Sequence, residues 1–188
     1  ENHVMLQGVE LFQNLGLRAL IVNGAHRCAN ENTVACSGTT SVCGSSNSYR
    51  TSDMAHVDNT IFQWAHEILS ARFPSDWVFS IHGKSESGIH LSNGTQEDTS
   101  PSSPVAQFAL ALAQEDVLED DPVRSCNDFS GTPGTTSSLC GTTNIQGRML
   151  NYSEEPCTIA PAQASDRFIH IEQSSEVRAN YRTYVEYA

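Results

Sequence analysis

Lysine is nearly absent from this chain. One of its 188 residues, Lys84, carries that side chain, and the nine arginines are scattered rather than clustered. Ten basic residues against twenty-two acidic ones leave a formal net charge of -12. A surface of that sign repels phosphate backbones and anionic headgroups, so with no basic patch to offset it the expected partners include neither nucleic acid nor membrane. Long hydrophobic runs are missing too. The most apolar stretches, residues 18–22 and 108–113, fall far short of the roughly 18 residues that span a bilayer. There is no G-x-S-x-G elbow, no G-x-x-x-x-G-K-[ST] loop, no G-x-G-x-x-G fingerprint and no H-E-x-x-H helix. Those absences count against serine-hydrolase, nucleotide-binding and dinucleotide-binding readings. No C-x-x-C pair occurs, which removes zinc ribbons and thioredoxin-like redox sites.

Six cysteines are present: Cys28, Cys36, Cys43, Cys126, Cys140 and Cys157. An even set of this size reads as three disulfides formed in an oxidising compartment. Proximity in sequence pairs Cys36 with Cys43 and Cys126 with Cys140, leaving Cys28 and Cys157 as the long-range staple, although sequence alone leaves every pairing open. A cysteine nucleophile would need a free thiol, with Cys28 beside His26 and Arg27 the candidate, and the even count argues against it. The triplets Asn93-Gly94-Thr95 and Asn151-Tyr152-Ser153 are glycosylation acceptors in form, and 37 residues are Ser or Thr. Together these features predict a secreted glycoprotein. A chain that opens at Glu1 with no signal peptide is expected to be a mature or trimmed form.

At this length the chain is expected to make one domain, 1–188. Val4, Leu11, Phe12 and Leu15 fall at helical spacing before Gly16, which predicts a helix over 4–15, and the apolar run 17–23 predicts a buried strand. Ser52 and Asp53 offer an N-cap for a helix over 54–71. Its stripe of Ala55, Ile61, Phe62, Ala65, Ile68 and Leu69 is expected to face the core, with Pro74 ending it. Further strands are expected at 77–81 and 168–172, and helices at 104–115 and from 175 to about 187. Residues 33–52, 92–103 and 130–143, rich in Ser, Thr and Gly, read as long loops. The alternation predicts an α/β layered fold with a central, mostly parallel sheet flanked by helices. Ligand groups in such folds lie beyond the carboxyl ends of the strands.

Three expected strand ends carry chemistry: His26 with Glu31, His82, and the run Phe168-Ile-His170-Ile-Glu172. Two histidines and one carboxylate, with a fourth position left for water, are the donors of many zinc hydrolases, so His26, Glu31 and His82 form a candidate zinc site. Glu172, on the same strand face as His170, is the candidate general base, with Glu176 a competitor. Arg50 and Arg178 either bind an anionic substrate group or make surface ion pairs. His90 either lines the pocket or stands apart from it, and His170 either orients a ligand or fills the strand. Asp53 and His56 read more simply as a helix cap and a surface histidine than as an extension of the site, and His66 and Glu67 as solvated helix residues.

The order His26, Glu31, His82 and Glu172-Gln-Ser-Ser-Glu-Val-Arg178 resembles the phage poly-γ-glutamate hydrolases and their relatives of the zinc carboxypeptidase-like fold. In those relatives the first histidine is followed by glycines, whereas Arg27-Cys28-Ala29 follow here. The resemblance implies a zinc carboxypeptidase-like core, zinc held by His26, Glu31 and His82, and Glu172 as general base. The implied activity is cleavage of an amide in a peptide-like substrate or anionic polymer such as poly-γ-glutamate. Against it stand two alternatives: a disulfide-bonded extracellular binding or structural protein on a hydrolase-derived fold without activity, and an esterase or deacetylase acting on glycans with the same metal logic.

Overall fold

A computed structural model of the chain describes residues 3–44, 47–114 and 122–180. Helix α1 (Val4–Asn14) is followed by a long irregular segment, a single 3₁₀ turn at Met54–His56 and helix α2 (Ile61–Arg72). Then come β1 (Val78–Gly83), β2 (Ile89–Ser92), α3 (Pro104–Gln114), β3 (Val123–Ser125), α4 (Ile145–Leu150), β4 (Phe168–Gln173) and α5 (Ser175–Ala179). The four strands form one sheet in the order β1-β4-β2-β3. β1 runs parallel to β4 and β2 parallel to β3, while β2 and β4 are antiparallel. The fold is thus mixed α/β with a mostly parallel sheet flanked by helices.

The two faces of the sheet differ sharply in chemistry. Side chains alternate along a strand and paired residues share a face, so the register Ser80↔His170, His82↔Glu172, His90↔Glu172 and Ser92↔His170 gathers polar groups on one side. The opposite face carries Phe79, Ile81, Ile89, Leu91, Ile169 and Ile171, which pack with Val105, Ala106 and Ala109 of α3 and with Val177 of α5. Each large aliphatic side chain withdrawn from water there contributes roughly 1.5–3 kcal/mol. Helix α3 is built for that role: Pro104 opens it, Ser103 Oγ accepts from the Ala106 amide at 3.4 Å, and an Ala/Leu-rich run follows. Two shorter helices are capped as well. Asn144 accepts from Gly147 N at 2.9 Å to start α4, and Ser174 accepts from Val177 N at 3.1 Å to start α5.

Several sequence expectations are corrected. Residues 17–23 form no strand; Leu20 and Val22 are exposed and pair with no ladder. Helix α2 begins at Ile61, not at 54, because Thr60 is its cap, accepting from Gln63 N at 3.0 Å. The expected apolar stripe is only partly covered: Phe62, Ala65 and Leu69 are half-buried, Ile61 and Ile68 face solvent, and the most deeply buried positions are Gln63, His66 and Ser70. Gln146 accounts for the buried polar positions, since its amide donates to Gln63 Oε1 at 2.8 Å and draws that side of α2 against α4. Helix α1 docks in the same manner, through a reciprocal amide pair between Gln7 and Gln173 at 2.8 and 2.9 Å. The expected closing helix ends at Ala179 among the described residues, and positions 181–188 lie outside them.

Three disulfides cross-link the chain: Cys28–Cys43, Cys36–Cys157 and Cys126–Cys140. Two of the three expected pairings are therefore wrong. The strand-like contact of residues 33–34 with 49–50, and the hydrogen bond from Ser37 N to Cys157 O at 2.8 Å, bring Cys36 to Cys157 rather than to its sequence neighbour. Arg148 reinforces the junction by donating to Ser37 Oγ at 2.8 Å and to the carbonyl of Pro156 at 3.1 Å. The disulfides are consistent with an oxidising, extracellular setting, and no helix among the described residues is long and apolar enough to cross a membrane. The glycosylation expectation fails on burial. Asn93 and Asn151 are both nearly inaccessible; Asn93 Oδ1 accepts from Thr95 and Asn127, and Asn151 Nδ2 donates to Asn93 O at 2.8 Å. A glycan on either side chain would have to displace this buried packing, and on Asn151 it would also break the bond that its amide nitrogen makes.

Candidate functional site

The polar face of the sheet opens at the carboxyl ends of β1 and β4. His82 and Glu172 are register partners there. His170, two residues before Glu172 on the same face, places Nε2 3.3 Å from Glu172 Oε1, and its ring centroid is 4.8 Å from that of His82. Ser80 Oγ lies 2.8 Å from His82 Nε2, and Asn144 Nδ2 donates to the same hydroxyl at 3.4 Å, so the cap of α4 also steadies the strand-end imidazole. The loop 130–143 covers the inner part of this face. Gly141 lies so close that a Cβ there would meet the His170 ring at 2.8 Å, and its φ of +64° favours glycine independently. Gly83 gives similar clearance to the Arg178 guanidinium, which lies along the end of β1.

Asp53 and His56 come to the same edge from the 3₁₀ turn. Asp53 is buried and makes no capping bond, contrary to expectation, and His56 is largely covered rather than a surface residue. Its ring stacks face to face on Tyr49, with centroids 3.7 Å apart at 8°, and Tyr49 Oη is bonded to Thr143 Oγ1 at 2.9 Å. Burial pushes the Asp53 carboxyl up, but His56, Arg27 and His82 outweigh it and hold the group below the usual carboxylate range. Ser52 ties this turn to the His26 loop: its hydroxyl donates to Arg27 O at 2.7 Å and accepts from Asn30 N at 3.1 Å.

The residues nominated from sequence are distributed as follows. His82 and Glu172 meet. His26 lies in an exposed loop rather than at a strand end, with Nδ1 accepting from Cys28 N at 3.1 Å, and Glu31 is exposed. The ligand atoms of His26, Glu31 and His82 do not all come within 4.8 Å of one another; among the described residues the set that does is Cys36, Asp58 and Cys157. That group is a possible metal-binding cluster by distance, but its two sulfurs are joined in a disulfide and have no thiolate to offer while the bond stands. Arg50 donates through Nη1 to the Glu31 carbonyl, and Arg178 donates through Nε to the carbonyls of Gln173 and Ser174 at 3.3 and 3.2 Å. His90 is buried opposite Glu172, and burial together with Lys84 keeps its pKa low. His66, expected in solvent, is buried against α4, and burial lowers its pKa to about 4.

Sequence reasoning undervalued Asp53 and His56. The signal was the D-x-x-H spacing, which on a 3₁₀ turn puts both side chains on one side. A separate hollow of about 480 Å³, lined by residues including Asn93, Glu97, Ser103 and Asp166, lies toward the other end of β4 and contains no histidine. Comparisons with protein-family models, curated proteins and solved structures returned no match.

Proposed function

We propose that the chain is a metal-dependent hydrolase that cleaves an amide in a peptide-like substrate, with Glu172 as general base. The observation that carries this reading is the pairing of His82 with Glu172 at the carboxyl ends of two parallel strands, with the Asp53 carboxylate within electrostatic reach of His82. Imidazoles and carboxylates in that number are the donor set of hydrolytic zinc sites. A bound zinc ion would supply acidification of a water and stabilisation of charge on the carbonyl oxygen. The role of proton acceptor falls to Glu172, a largely buried carboxylate whose Oε1 lies 3.3 Å from His170 Nε2, which supports the reading. Poly-γ-glutamate or a related anionic polymer is the substrate the sequence resemblance favours. Arg27, the cation beside Asp53, offsets part of the -12 net charge at the site.

The test is a panel of α- and γ-linked glutamyl peptides, with acetylated glycans as the ester control, assayed with zinc supplied. Amide cleavage by the native protein, reduced at least ~100-fold in Glu172→Gln with unchanged melting temperature, is the expected result. No turnover of any amide by the correctly disulfide-bonded protein overturns the reading.

A further inference from the structure

We propose that the outer face of α2 docks a basic, amphipathic segment of a partner protein and takes one of its Arg or Lys side chains into the hollow beside Trp64. This role does not depend on the hydrolase reading. Ile61, Trp64 and Ile68 recur at helical spacing along that face and are 81%, 54% and 68% exposed. Single exposed apolar side chains are ordinary on a protein surface, but three on one helix face make a patch of the kind that marks an interaction site. Helix α2 is held without them. Thr60 caps it, Gln146 bonds Gln63 from α4, and Arg167 Nη2 donates to the carbonyls of Ser70 and Phe73 at 3.4 and 2.9 Å.

Charge names the occupant. Beside Trp64 the face opens into a hollow of about 290 Å³, whose lining includes three carboxylates, Asp58, Glu67 and Glu155, and no basic side chain. All three residues are exposed, and the ion pairs among the described residues engage other carboxylates, those of Asp76, Asp53, Glu86 and Glu172. Gln63 Nε2 donates to Glu67 Oε1 at 3.0 Å and steadies that carboxylate at the rim. Three negative charges around an indole select a cation, by Coulomb attraction and by its placement over the ring. Small-ligand pockets start at roughly 300 Å³, so the space suits one long side chain. Ile61 and Ile68 continue the face past the hollow and call for apolar side chains on the same segment. Arg72 closes α2 a turn beyond Ile68 and takes no part in the hollow. A second copy of this chain would set a net charge of -12 against another of -12, and anionic headgroups are repelled by the same carboxylates.

The experiment uses the disulfide-bonded protein carrying Trp77→Phe, which leaves Trp64 as its one tryptophan. Its emission is titrated with three synthetic peptides of equal length: an amphipathic Leu/Arg peptide, a Ser/Arg peptide of the same charge and a Leu/Glu peptide. The expected result is a saturable blue shift with the Leu/Arg peptide, at least ~10-fold weaker binding of the Ser/Arg peptide and none of the Leu/Glu peptide. Two variants of native melting temperature, Ile68→Ser and the triple variant Asp58→Asn, Glu67→Gln, Glu155→Gln, should each bind the Leu/Arg peptide at least ~10-fold more weakly. A second triple variant, Glu97→Gln, Asp98→Asn, Asp166→Asn, removes the same charge from the other hollow and should bind as the parent does. Equal weakening in both triple variants would mean attraction by net charge alone and overturns the proposal. So does a Leu/Arg peptide that leaves Trp64 emission unchanged. Dimerisation in sedimentation that Ile68→Ser abolishes would make a second copy the occupant, and a blue shift with phosphatidylglycerol vesicles would make it a membrane; either result overturns the assignment to a basic protein segment.

Discussion

His82 on β1 stands in register with Glu172 on β4, and both lie at the carboxyl ends of their strands. Parallel pairing is what makes this possible: it aligns like ends, so two residues far apart in sequence share one open edge. Ser80 is then a positioning residue, because its hydroxyl holds His82 Nε2 at 2.8 Å. Ser80→Ala is expected to weaken zinc affinity about 10-fold or more while leaving the melting temperature near native. Rescue of affinity by Ser80→Thr distinguishes orientation of the ring from a general packing effect.

Gly141 is the contact through which the loop 130–143 seats on the sheet. Gly141→Ala would press a methyl against the His170 ring and impose a left-handed φ on alanine. The expected loss is about 1–3 kcal/mol, measured by denaturant unfolding. An unchanged midpoint would show that the loop does not close on His170.

The disulfide pattern predicts an order of stabilities. Cys36–Cys157 closes a separation of 121 residues and Cys126–Cys140 one of 14. By loop entropy the first contributes on the order of 5 kcal/mol and the second about 3 kcal/mol. Replacing each pair by serine should rank the variants accordingly. Non-reducing peptide mapping should recover Cys28–Cys43 in place of the sequence-neighbour pair Cys36–Cys43.

Acid should destabilise the fold through His66. Its pKa of about 4 in the folded chain lies below the unfolded value of 6.5, so the neutral ring favours folding and protonation opposes it. The stabilisation is complete above pH 6.5, declines as the unfolded chain takes up its proton, and is exhausted near pH 4. Its full extent is roughly 3 kcal/mol. Asp53, also held low, adds to the loss in acid. His66→Gln should flatten the stability profile between pH 6.5 and 4.

Asn93 and Asn151 should remain unmodified. Protein secreted from a eukaryotic host is expected to show the intact mass of the bare polypeptide at both triplets, because each side chain is buried and hydrogen-bonded. A glycan found at either one would show that the surrounding network of Asn127 and Thr95 is open in solution.

Much of the frame is readable from residue order. The alternation Phe168-Ile-His-Ile-Glu-Gln announces β4 and already puts His170 and Glu172 on one face. Pro104 and the Ala/Leu run announce α3. The short strands β2 and β3 and the helix α4 carry too few residues for a periodic signal, and all three were missed.

The sequence by itself determined the composition of the site: an acidic chain, an even set of cysteines, imidazoles and carboxylates close to strand ends. Only the tertiary structure decided which of them work together. Periodicity says which residues share a face, but not which positions are most deeply covered, and in α2 a buried amide hydrogen bond from Gln146 to Gln63 draws a polar stripe inward beside the half-buried Phe62, Ala65 and Leu69 while Ile61 and Ile68 face solvent. Cysteine spacing likewise cannot choose partners, because pairing follows the folded distance between Cα atoms, 4.6 Å for Cys36 and Cys157, rather than separation along the chain. For the same reason His82 is set beside Glu172, 90 positions away: strand register brings the two to one edge, and register is a long-range fact of packing.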